Sequence, residues 1–208
     1  MAIDLRCFTY VDILQPQTAG FLGTISRGYH PLEGEASLFI EVSPGMDINI
    51  VSDIALKETD VKPGMQVVER RYGALELHHL DQGQVRAAGE SILSNLGTAE
   101  NQRLKPRIVS EQIIHGVEGY HSQLVNRMRH GNFLRENTTL YVLEVHPAGY
   151  ALLATNEAEK AANIDVLEFR AIGAFGRVYL GGSEADIDEA AKAVRAVLED
   201  VTGRPNDP

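Results

Sequence analysis

Apolar and polar residues alternate in short runs along the chain, and those runs come in an order that occurs twice. The first half predicts a strand from Leu5 to Ile13, a helix-compatible stretch, a strand from Ser37 to Val42 and, after a proline, a helix from Ile48 to Glu58. Two strands around a glycine-bearing turn follow, Gln66 to Arg70 and Ala74 to His79, and a helix closes the half. The second half predicts strands Arg107 to His115 and Leu140 to Val145, a helix from Tyr150 to Ala162, strands Asp165 to Ala171 and Arg177 to Leu180, and a last helix. That helix carries Ile187, Ala190, Ala191, Val194, Val197 and Leu198 at helical spacing.

Residue identity supports the repeat. An offset of 103 residues, which lays Lys160 on Lys57, aligns SLFIEVSPG at 37 to 45 with LYVLEVHPA at 140 to 148 without a gap. The same offset pairs Gly28 with Gly131, Glu41 with Glu144, Ala55 with Ala158, Gly73 with Gly176 and Leu77 with Leu180. Strands interleaved with helices make each half an α+β unit, an α/β sandwich in which helices pack on an open, ferredoxin-like sheet. The polar segment Thr98 to Pro106, closed by a proline, reads as the linker. The expected domains are residues 1–103 and 104–208.

The chain of 208 residues is 44% hydrophobic and 23% charged, enough apolar material for a packed core. Its formal net charge of -10 argues against a nucleic-acid partner, which would draw on clustered Lys and Arg. No apolar run is long enough to span a membrane, and the opening MAIDLRCFTYVDIL lacks the basic region and cleavage site of a signal peptide, so a cytosolic protein is expected. The single cysteine, Cys7, reads as a small buried hydrophobe.

Candidate chemistry is sparse. No phosphate-cradling loop is present, and Gly173, Gly176, Gly181 and Gly182 read as tight strand turns. His78 and His79 are consecutive in a strand and point to opposite faces, so they cannot chelate one ion. His115, His121, His130 and His146 lack ligand spacing, and surface histidines are expected throughout. No catalytic residue, metal site or cofactor is assigned. Two features stand out. Lys57 and Lys160 occupy one equivalent position, as an edge contact repeated by symmetry would. VVERRYG at 67 to 73 places Glu69 and Arg70 in the turn of the first half, whereas RAIGAFG at 170 to 176 has Ile172 and Gly173 there. A surface ion pair, worth under about 1 kcal/mol, is the plain reading of the first turn.

These segments also carry a likeness. LQPQTAGFLGTISRGYHPLEG, EVSPGMDINIVSDIALK, VVERRYG, EVHPAGYALLATNEAEKAANI and AIGAFGRVYLGG resemble the bacterial microcompartment shell proteins, in the permuted tandem-domain branch found in carboxysomes and metabolosomes. The resemblance covers nearly the whole chain. It implies two circularly permuted shell domains, a homotrimer that acts as a pseudohexameric tile, stacking of two trimers face to face, and other shell proteins as neighbours. It further implies a central pore for small metabolites, gated by Glu69 and Arg70 and bordered by Arg71, Tyr72 and Gly73 and by Ile172, Gly173, Ala174, Phe175 and Gly176. Lys57 and Lys160 would lie on the tile edge. The competing expectations are an enzyme and a duplicated-domain small-molecule sensor.

Overall fold

The computed structural model describes residues 3–128 and 130–207. Its first half runs β1 (Asp4–Val11), α1 (Pro16–Ile25), β2 (Ala36–Ser43), α2 (Ile48–Glu58), β3 (Lys62–Glu69), β4 (Tyr72–His79) and α3 (Gln82–Leu96). The second repeats that order as β5 (Arg107–Ile114), α4 (Gly119–Met128), β6 (Thr139–His146), α5 (Tyr150–Ala161), β7 (Asp165–Arg170), β8 (Gly176–Gly182) and α6 (Glu184–Asp200). Each half builds its own antiparallel sheet, in the orders β1-β2-β4-β3 and β5-β6-β8-β7. The α+β class is as expected, and the repeat extends to backbone detail. Register breaks at Leu5/Cys7 recur at Ile108/Ser110, and those at Pro63/Met65 recur at Val166/Glu168. Cis peptide bonds precede both Pro44 and Pro147.

On one face of the first sheet, Phe8, Leu38, Ile40, Leu75 and Leu77 pack against Val51 and Ala55 of α2 and Val85, Ala88 and Ile92 of α3. The second sheet does the same with α5 and α6. The opposite face of the first sheet is not left to water. Cys7, Val11 and Phe39 from that face, with Phe21 and Leu22 of α1, belong to the core of the second half. Phe21 lies 4.6 Å, centre to centre, from the ring of Phe169, and α5 is buried from Tyr150 through Asn156. Two halves thereby share one interior, with Cys7 the small buried hydrophobe expected of it.

Polar groups fasten this joint. Arg6 Nε donates to Glu41 Oε1 at 2.6 Å, and its NH2 group meets His146 Nε2 at 2.9 Å. Because arginine only donates, Nε2 accepts, and the proton sits on Nδ1, which faces Asn206 Oδ1 at 2.9 Å. Burial, then the Arg6 cation, hold the His146 imidazole below its usual range. Burial pushes the Glu41 carboxyl up, against the lowering effect of Arg6 and of the backbone amides of Gly149 and Ala148. The expected polar linker is in fact clasped: Arg103 donates to the carbonyls of Phe8 and Thr202, Leu104 bridges to Arg204, and Tyr150 Oη donates to the Leu104 carbonyl at 2.6 Å.

His78 and His146 correct the expectation of surface histidines. His78 is 1% exposed, with Nδ1 3.1 Å from Glu76 Oε2, while Ser37 Oγ donates to Glu76 Oε1 at 2.5 Å. A strand covered on both faces has no solvated side on which to place its polar residues.

Phe21→Ala should cost about 3 kcal/mol or more, since it removes a buried ring and leaves a void between the halves; a shift in denaturant midpoint worth under about 1 kcal/mol would contradict the shared core. A second outcome concerns acid. With its pKa lower folded than unfolded, His146 contributes in full above about pH 6.5 and progressively less as pH falls, whereas protonation of Glu41 acts in the opposite sense. His146→Gln should therefore flatten the loss of thermal stability between about pH 7 and pH 5. Melting curves that fall in parallel for the two proteins would contradict the assignment.

Candidate pore site

Two hairpin turns at equivalent places in the repeat come together beside a groove of about 880 Å³. In the first, Glu69 pairs across to Tyr72 and leaves Arg70 and Arg71 as the connection. Two-residue hairpin connections require positive φ, and Arg70 has φ +55°. Its equivalent in the second turn is Gly173, at φ +104°. A glycine takes this region without strain, whereas an arginine is held there at a cost of about 1 kcal/mol or more. The charged turn thus forgoes the relaxed residue at the position that displays its guanidinium.

Arg70 is 91% exposed and Glu69 50%, and Arg70 Nε stands 3.9 Å from Glu69 Oε1. So loose and solvated a pair contributes well under 1 kcal/mol, and neither side chain is committed to the other. A Cβ on Gly173 would stand 3.9 Å from Glu69 Cγ, so the two turns face each other closely. The same groove is lined by Ile172, Ala174 and Phe175 from the second turn, with Arg27, Arg170 and Arg177 on its walls. Glu69 and Arg70 of the first turn and Ile172, Gly173, Ala174 and Phe175 of the second therefore line one groove. Lys57 and Lys160 are elsewhere, near the ends of α2 and α5, where they pair with exposed Asp53 at 2.6 Å and with Glu157 at 3.5 Å.

Behind the turns, the joint reaches the site. The Arg6 guanidinium stacks 3.6 Å from the centre of the Tyr72 ring, and the Phe175 ring stands edge-on, 6.0 Å from His146. Arg6 and His146 escaped the sequence reading because they sit at non-equivalent positions, one from each half, and only the packing of the halves joins them. Gly73 and Gly176 were flagged, yet for a different reason from the one that applies. Neither has positive φ; a Cβ on Gly73 would fall 2.2 Å from the Gly45 carbonyl oxygen, and one on Gly176 2.4 Å from that of Ala148. Close backbone approach to the proline loops, not a turn, requires glycine at both. Among the described residues no cluster of three or more His, Cys, Asp or Glu is arranged to hold a metal, and no helix is long and apolar enough to cross a membrane.

Comparison with known proteins agrees along the whole chain. The CsoS1D N-terminal domain family matches residues 5–102. The carboxysome shell protein CcmP of Synechococcus elongatus is 52% identical over 204 residues, 98% of this chain and 96% of that protein. A solved fused permuted hexameric shell protein of the RMM microcompartment superposes with a TM-score of 0.92 at 47% identity, covering 96% of this chain and all of that one. A double ringed trimeric shell protein of the same microcompartment superposes at 0.94 with 37% identity, covering 98% and 100%. The doubled α+β unit, its glycine-tight proline loops and this identity have one reading: the chain belongs to the tandem-domain family of bacterial microcompartment shell proteins, structural components rather than enzymes or small-molecule sensors.

Proposed function

We propose that the chain divides near residue 104 into two shell domains, residues 1–103 and 104–208, and that three chains close into a six-domain tile around a pore gated by Glu69 and Arg70. The observation that carries this reading is the juxtaposition of the two equivalent turns, one charged and one not, with Arg70 and Glu69 uncommitted to each other. A three-fold axis brings three copies of each group together. Like charges then repel unless every carboxylate meets an arginine, from its own chain or the next.

A closed ring of three exposed pairs is worth on the order of 1 to 3 kcal/mol at most. A metabolite that favours one arrangement tenfold, about 1.4 kcal/mol, moves such a population appreciably. Each chain brings Arg70 and Arg71 against one Glu69, so the ring is net positive and favours anionic small metabolites. Lys57 and Lys160, at equivalent helix ends, form the tile edge and meet other shell proteins at the microcompartment shell. Two tiles stack face to face, as the solved double ringed relative supports.

The double variant Glu69→Ala, Arg70→Ala should assemble normally, since both residues are exposed, and its structure should show a pore that no longer closes; a closed pore in that variant would sink the gate. Lys57→Glu or Lys160→Glu should spare the soluble tile and abolish sheet-like arrays by electron microscopy, and unchanged arrays would count against the edge.

A further inference from the structure

Inside the chain, the loop from Pro147 to Tyr150 presses a glycine against the first sheet. A Cβ on Gly149 would stand 2.7 Å from Phe39 Cδ1 and 2.8 Å from Cys7 Sγ, so nothing larger than glycine fits over that ring. The repeat maps these three positions onto surfaces that the single chain leaves open. Gly149 corresponds to Met46, Phe39 to Val142, and Cys7 to Ser110. Met46 is 68% exposed in the short turn before α2. Val142 is half-buried on the face of the second sheet turned away from α5 and α6, where it and Val125 of α4 pack against the same small cluster around Leu140 and Leu167. The changes run in opposite directions. The mated surfaces combine a large ring on the sheet with no side chain on the loop; the open ones combine a small side chain on the sheet with a long, adaptable one on the loop.

We infer that Met46 of one copy fills the space over Val142 and Ser110 of a second copy, and that this exchange of volume forces first and second halves to alternate around the ring. The inference rests on the three-chain reading above and adds the partner surface and its register. Wrong orders are penalised from both sides. Met46 over Phe39 would overlap, and Gly149 over Val142 would leave a void.

The helices that flank the joint agree. Within the chain, Glu159 of α5 accepts from the amides of Gln17 and Thr18 at 2.7 and 2.8 Å, capping the start of α1. The residue matching Glu159 is Leu56, which is exposed. At α4, the counterpart of α1, the equivalent amides of Tyr120 and His121 are taken by Glu118 of the same chain. The cap is thus supplied at home where the partner offers a leucine, and exposed Tyr120 and Leu124 are left to bury against it. Every chain carries one open surface of each kind, so the contact is head-to-tail, the kind of interface from which a ring of three chains is built.

The test is a dilution series by analytical ultracentrifugation on full chains carrying Met46→Gly, Val142→Phe, or both. Each single variant should weaken trimer formation by about tenfold or more, one through a void and the other through overlap. The double variant rebuilds the geometry of the internal joint and should recover to within about threefold of the unaltered chain. Met46→Glu, at a position too exposed to disturb the fold of one chain, should by itself give monomers. A double variant no better than the weaker single, or a Met46→Glu chain that remains trimeric, would overturn the inference while leaving the ring intact. An unaltered chain that never exceeds one copy would remove the ring itself.

Discussion

Each half of this chain covers one face of its sheet fully with its own two long helices but the other face at most in part, and the structure follows from the need to cover the rest. In the first half that face carries Cys7, Val11 and Phe39, all apolar and all buried, because α5 and the Pro147 loop of the second half lie over it. Burial of side chains such as Phe39 and Phe21 contributes about 1.5 to 3 kcal/mol each. The same contact fixes how the halves sit, so the two equivalent turns end up side by side. The pore site is a by-product of the joint rather than a feature built separately.

Duplication with divergence explains the asymmetry at that site. Both turns need a left-handed residue at the same point, and one copy supplies glycine while the other accepts strain to present a guanidinium. The joint behind them is polar where it meets the turns, through Arg6, Glu41 and His146, and apolar further out, through Phe21 and Phe169. Burial is the leading cause of both the lowered pKa of His146 and the raised pKa of Glu41, so packing, ahead of the attraction to Arg6, sets the state of this joint.

Much of the fold was legible because period-two and helical runs recur at a constant offset, and EVSPG against EVHPA anchors the alignment at the proline loops. The turn VVERRYG was also visible, since two arginines at a hairpin tip break the pattern of its duplicate. Contacts between the halves were not visible. Arg6 with His146, Phe21 with Phe169 and Glu159 with the start of α1 join non-equivalent positions, and nothing in one-dimensional periodicity relates them. His78 was misjudged for a similar reason: alternation indicates a solvated face only when one face is solvated, and here both are covered. Gly176 was read as a tight-turn glycine, when the governing quantity there, and at Gly73, is the space between two main chains.

The account stands or falls on whether the uncovered faces of the second sheet and of α4 find a second copy. The most direct measurement is the mass of the purified chain in solution by light scattering. Three chains, or six where tiles stack, is the result the account predicts; a monomer persisting at high concentration would contradict it.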